Sequence, residues 1–212
     1  MTDTVAPQLP RGRHGLTRQQ VETDQRLRIF LGLAEAMGER GYVGTPVAEI
    51  IKRAGVSRET FYQLYTDKLD AFLAAFDLVG EVLRVRLEQA TAGPGTPMAR
   101  FERAIGAYLD SLAAEPAYAR LFLVEVHAAG PEAMARRTEI QQRIVDALAD
   151  LLGARSDAGR LTCQVLVAAV SAMVTGPLVA GDVEALRALG PRILDHVRRL
   201  DAAGMFGPAR PR

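Results

Sequence analysis

Residues 45 to 68 read TPVAEIIKRAGVSRETFYQLYTDK, and the breakers in this stretch decide the fold. Thr45 and Pro46 have the form of a hydroxyl cap followed by a first-turn proline, and Gly55 fits the left-handed residue that ends a helix about nine residues later. Only Val56 separates Gly55 from Ser57, which can cap a second short helix. Two helices joined by a tight glycine turn at 54–57 make a helix-turn-helix pattern. On the second helix, read from Arg58 to Tyr65, the helical period puts Phe61, Leu64 and Tyr65 on one face and Arg58, Glu59, Tyr62 and Gln63 on the other. The first face packs and the second is presented.

Upstream, Thr17-Arg18-Gln19-Gln20 has the form of a capping box, and Leu27, Phe30, Leu31, Ala34 and Met37 recur at helical spacing up to Gly41. Residues 1–16 carry Pro, Gly and Arg without an apolar period and read as a flexible basic arm. Downstream, a long helix starts after Thr66 with Leu69, Phe72, Leu73, Phe76, Val79 and Leu83 on one stripe, fades near Thr91 and is broken by TAGPGTP at 91–97. Further helical stretches are expected at about 98–114, 117–129, 131–152, 159–180 and 182–201, divided by Glu115-Pro116, Gly130-Pro131 and the loop from Gly153 to Gly159. No alternating strand pattern and no internal repeat stands out, so the fold class is all-α with about nine helices. The domains expected are a helix-turn-helix domain over 17–73, a second helical domain over 74–203, and a flexible tail over 204–212.

Composition narrows the function. The chain has 212 residues, 49% apolar and 24% charged, with a net charge of +1, the balance of an ordinary globular protein of one or two domains. No global basic field announces nucleic acid, so a local surface must carry that function. The one cysteine, Cys163, cannot close an intrachain disulfide, and with only Arg160 near it reads as an inert buried thiol. No zinc-ligand spacing, phosphate loop or acid/base constellation is found, and neither a cofactor, a metal nor an enzyme is expected. The opening residues lack the apolar stretch of a secretory signal, and a reducing cytoplasm is the expected setting. Leu161 to Gly181 runs without a charge, but Thr162, Gln164, Ser171, Thr175, Gly176 and Pro177 interrupt it and no Trp/Tyr belt flanks it. A buried helix in a core or subunit interface, with no membrane contact, is the expectation.

The presented face of the 58–65 helix has the donors suited to DNA: Arg for guanine edges, Gln for adenine, and Ser57, Arg58 and Thr60 for phosphate at a helix N-terminus. Glu59 suits the helix dipole and could accept from a cytosine amino group, yet it repels phosphates. Residues 26–73 as a whole resemble the DNA-binding domain of the tetracycline-repressor (TetR) family, through Gly41-Tyr42, Thr45, Ile50, Ala54-Gly55-Val56-Ser57, Thr60-Phe61-Tyr62, Tyr65 and Lys68. The resemblance implies that Thr45, Tyr62 and Lys68 hold the DNA backbone, while Ser57, Arg58, Glu59, Thr60 and Gln63 sit at or near base edges. Two positions depart from the family pattern: Glu59 stands where Gly or a small residue is common, and Leu64 where His is frequent. Arg11, Arg13, His14 and Arg18 form a second basic group, either an arm reaching for DNA or a solubilising tail.

For the remainder, the resemblance implies architecture. Helices from about 98 to 152 would form an effector domain, and those at about 159–180 and 182–201 would pair with their counterparts as a four-helix homodimer interface. Phe101, Ile105, Tyr108, Leu112, Phe122 and Val126 are candidate lining for a pocket taking a small apolar or amphipathic effector, and are equally suited to core packing. Arg120, Glu125 and His127 could orient a polar group there or form a local ion pair. The implied function is a transcriptional regulator, a repressor released from a palindromic double-stranded operator by that effector. The alternative is a DNA-binding regulator without a small-molecule effector, an activator or one controlled by a protein partner.

Overall fold

In the computed structural model, which describes residues 17–207, the chain forms helices only: α1 Arg18–Arg40, α2 Val47–Ala54, α3 Arg58–Leu64, α4 Lys68–Thr91, α5 Pro97–Ala114, α6 Pro116–Leu123, α7 Pro131–Leu152, α8 Asp157–Ala180 and α9 Val183–Ala202, with a 3₁₀ turn at Glu125–His127. The arm residues Arg11, Arg13 and His14 lie outside the described residues; Arg18 opens α1 and is exposed.

Local chemistry accounts for the first three helices. The Thr17 side chain accepts from the Gln20 amide while Gln20 Oε1 accepts from the Thr17 amide, closing the capping box at the start of α1. α1 buries Ile29, Phe30, Leu33, Ala34 and Met37 along one stripe. α2 crosses it where α1 carries Gly32: a Cβ there would stand 2.8 Å from the Ala54 amide nitrogen and 3.1 Å from the Ile50 carbonyl oxygen. Gly55, at φ 60°, ends α2 in the left-handed conformation, and the Val56 amide reaches back to the Ile51 carbonyl. Ser57 then caps α3 through the Thr60 amide at 2.9 Å.

Four boundaries differ from expectation. Thr45 is not the cap of α2; Pro46, in an extended conformation, takes that position without a side-chain bond, and the Thr45 hydroxyl donates back to the Gly41 carbonyl at 2.7 Å. Tyr65 lies just past α3 as its extended C-terminal cap. The stretch expected at 117–129 is α6 only to Leu123; the backbone turns at Val124 (φ −114°) and tightens into the 3₁₀ turn. Residues 204–207, expected in a flexible tail, include buried Phe206, and the Gly207 carbonyl accepts from Ser156 Oγ at 3.4 Å; residues 208–212 lie outside the described residues.

Contacts divide the chain into two units at Ala75–Phe76, within α4. The first has its core at Leu33, Ile50, Phe61 and Phe72. In the second, α5 packs on α9, α7 on α8, and α8 on α9. Gly190 of α9 lets α5 approach, since a Cβ there would be 3.3 Å from Leu109 Cδ1. Phe76 and Phe122 stack at 4.4 Å between ring centroids. α8 is long and apolar enough to cross a membrane, the one such helix among the described residues. Its Cys163, Leu166, Val174 and Leu178 are buried within the unit, and burial raises the Cys163 thiol pKa.

Candidate nucleic-acid interface and effector cavity

α3 is anchored by one face and displays the other. Phe61 is fully buried, packing edge-on against Tyr62 and tilted against Tyr65, so the helix cannot roll without exposing two aromatic rings. Arg58, Glu59 and Gln63 are exposed, and Tyr62 is 45% exposed. The Arg58 guanidinium lies over the Tyr62 ring at 5.4 Å, which holds the cation on the free face without neutralising it. Gln63 Nε2 donates to Glu59 Oε1 at 3.3 Å, a weak link that keeps the carboxylate beside an amide. Ser57 and Thr60 hydroxyls sit 2.9 Å apart at the helix start, Ser57 also serving the cap.

The flanking residues behave differently. Thr45 is 0% exposed and its hydroxyl donates to the Gly41 carbonyl, so its side chain does not reach the surface of the DNA-free chain. Lys68 is half-buried: Nζ donates to the Tyr42 carbonyl at 2.8 Å and lies 4.1 Å from the Tyr42 ring centroid. Burial lowers the Lys68 pKa, and burial with Asp67 nearby raises that of Tyr42. One of its three N–H groups is therefore committed to the fold before any partner is met. Lys52, which sequence reasoning did not single out, is exposed on α2 with no carboxylate within 4 Å among the described residues. Its neighbour Arg53 is the opposite case, gripped by Glu35, Glu39 and Glu49 at 3.2, 2.6 and 2.9 Å. Arg28 donates to the Gly55 carbonyl, bracing the turn. Nothing in the sequence distinguishes Lys52 from Arg53.

The second unit holds a cavity of about 760 Å³, within the range of small-molecule sites. Phe101, Ile105, Tyr108 and Phe122 line it. Leu112 and Val126 do not: Leu112 borders a separate small crevice near Pro177, and Val126 is fully buried in the 3₁₀ turn. Both sit on apolar stripes whose partner is the protein itself. Arg120, Glu125 and His127 also lie off the cavity wall, Glu125 buried and His127 exposed. Residues from α4, α7 and α8, among them Leu83, Ile140, Ile144 and Val170, complete the lining. The cavity runs along α4 from Asp77 to Thr91, about 21 Å at the helical rise.

A supporting helix, a glycine turn and a second helix capped by Ser57, anchored on one face and exposed on the other, define a helix-turn-helix DNA-binding domain. Residues 30–75 match the family model described as bacterial regulatory proteins of the tetR family. Over 129 residues, 61% of this chain, it is 26% identical to the HTH-type transcriptional activator FasR of Mycolicibacterium smegmatis; the match spans 59% of that relative's length. Two solved structures share the fold: the fatty acid degradation regulator FadR of Bacillus halodurans (TM-score 0.70, 19% identity, 86% of this chain and 98% of that one) and FadR of Bacillus subtilis in complex with stearoyl-CoA (TM-score 0.67, 19% identity, 87% and 99%).

Proposed function

We propose that the chain is a homodimeric repressor that binds a palindromic operator and leaves it when a long apolar or amphipathic molecule fills the cavity of the second unit. The observation that carries the DNA-binding half is the free face of α3, where Arg58, Glu59, Tyr62 and Gln63 are exposed over a fully buried Phe61. Arg58 and Gln63 read base edges, with Ser57, Glu59 and Thr60 beside them, while Tyr62, Lys52 and the remaining N–H groups of Lys68 meet phosphates. Dimerisation through α8 and α9 supplies the two-fold symmetry of the operator. Support for it is the face of α8 away from the core, where Leu161, Val165, Ala168, Ala172, Gly176 and Val179 are exposed in one apolar stripe. Small residues in that stripe allow close approach of a second copy.

The effector half rests on the cavity's size and apolar lining, and draws support from the stearoyl-CoA complex of the Bacillus subtilis neighbour. A long acyl group fits a cavity that follows about 21 Å of α4. The coupling is a free energy: ligand favours a helix arrangement whose recognition-helix spacing no longer fits successive major grooves. Fluorescence polarisation of the purified protein on its own upstream intergenic DNA, with excess random duplex, tests the first half. Competition-resistant binding at physiological salt is expected, and release on adding stearoyl-CoA is expected for the second half. Binding no tighter than to random DNA overturns the operator reading, and undisturbed binding across long-chain acyl compounds overturns the effector.

A further inference from the structure

Next to the cavity wall lies a cation, Arg137, that no carboxylate among the described residues answers within 4 Å. Arg137 lies on the face of α7 that also carries Ile140 and Ile144, three and seven residues on, both lining the cavity. Its Nη2 donates to Ser171 Oγ at 3.1 Å, and its Nε is buried without any hydrogen-bond partner. Among the described residues it makes no ion pair within 4 Å, and burial lowers its pKa. The carboxylates that border the cavity are already engaged: Asp77 with Arg136, Glu81 and Glu88 with Arg84, and Asp150 with Arg155. A half-buried guanidinium with a single neutral partner is an expensive arrangement unless something else completes it.

Two hydroxyls stand between this cation and the cavity. Ser171 lines the wall and accepts from Arg137, so its own proton remains available. Tyr108 lines the wall from α5 and has no hydrogen-bond partner among the described residues. Its phenol is held well above the ordinary pKa by burial, partly offset by the Arg137 cation, so it is a proton donor at every physiological pH. Two donors backed by a cation, set in an apolar wall, suit an oxygen acceptor at the end of an apolar chain. Along α7, Leu151 at the far end of the cavity lies about 21 Å from Arg137, which leaves a chain-length space beyond the polar group.

We propose that the Tyr108 and Ser171 hydroxyls, backed by Arg137, form the polar anchor of the cavity and receive the carboxylate or ester-carbonyl oxygen of a long-chain acyl ligand. The inference rests on the effector reading above and assigns the recognition of the ligand's head group. A site built to hydrogen-bond an oxygen rejects the analogue that lacks it far better than an apolar wall rejects a change of length.

Calorimetric titration of the full chain with two matched pairs tests it: hexadecanoate against hexadecanol, and hexadecanoyl-CoA against its thioether analogue hexadecyl-CoA. The expected result is at least about tenfold preference for the member bearing the carboxylate or the thioester carbonyl in one pair or both, the pattern identifying free acid or thioester as the source. Tyr108→Phe with Ser171→Ala, a pair of changes that removes two oxygens and no carbon framework, is expected to bring the preference close to one while hexadecanol binds as before. An unchanged ligand-free melting temperature shows that the variant folds. Equal binding of both members of each pair in the wild type, or a preference that survives in the variant, overturns the anchor alone. No binding of any of the four overturns the effector reading and the anchor with it.

Discussion

Arg58 is held over the Tyr62 ring on the exposed side of α3, and no carboxylate lies within 4 Å of it among the described residues. On the function proposed above, this guanidinium takes a bidentate contact to a base edge, worth about 1 to 3 kcal/mol of discrimination. Arg58→Ala is therefore expected to weaken operator binding about tenfold or more while binding to random duplex falls far less. Equal loss on both in a polarisation assay would assign Arg58 to the phosphates instead. Thr45 carries the contrasting lesson. Its position in the motif was legible, but a buried hydroxyl returning to Gly41 and an exposed one facing a phosphate are spelled by the same residue. Lys68 likewise has the right charge, and only its 2.8 Å bond to the Tyr42 carbonyl reveals that it also braces the preceding turn.

At the scale of the element, two helix starts were legible because a cap supplies a local bond, at Thr17 and Ser57, whereas the caps at Thr96, Ser156 and Asp182 were not singled out and their helices were placed only approximately. The break after Leu123 was not legible: residues 117–128 contain neither glycine nor proline, and the turn at Val124 is set by what the chain must pack against. Pocket lining was half legible for the same reason, because Phe101 and Val126 both sit on apolar stripes and only tertiary packing decides which one faces a void. Two elements give direct tests. In Gly32→Ala the new methyl meets backbone atoms of α2 that cannot step aside, so a loss of about 1 to 3 kcal/mol in urea denaturation is expected. The Arg53 cluster gives a pH signature. Hydrogen bonds from Arg53 hold Glu39 and Glu49 below the ordinary carboxylate value of 4.5. A depressed carboxylate contributes stability that is present above its unfolded value and lost as pH falls through the folded one. Melting temperature should thus decline below pH 4.5, and Arg53→Met should make that decline shallower. Parallel curves for the two proteins would mean that other carboxylates govern acid unfolding.

For the whole molecule, the two proposed activities should separate by substitution. Ala104 lines the cavity on α5, and Ala104→Trp fills part of that space. The variant is expected to bind the operator as tightly as wild type and to stay bound when acyl ligand is added, as followed by polarisation. Retained release would place the effector elsewhere. The apolar stripe of α8 is the second test: Ala172→Glu sets a carboxylate against its copy across the two-fold axis, and sedimentation velocity is expected to find monomers that have lost operator affinity.

That stripe carries a quantitative consequence for regulation in the cell. If α8 is satisfied only by another copy of itself, operator occupancy at low abundance rises with the square of the protein's concentration, because each protomer brings a single half-site reader. Halving expression then removes about three quarters of the dimer in the dilute limit. A repressor assembled in this way responds to its own dosage more steeply than to any single contact it makes with DNA, and autoregulation of its gene would act on a threshold instead of a slope.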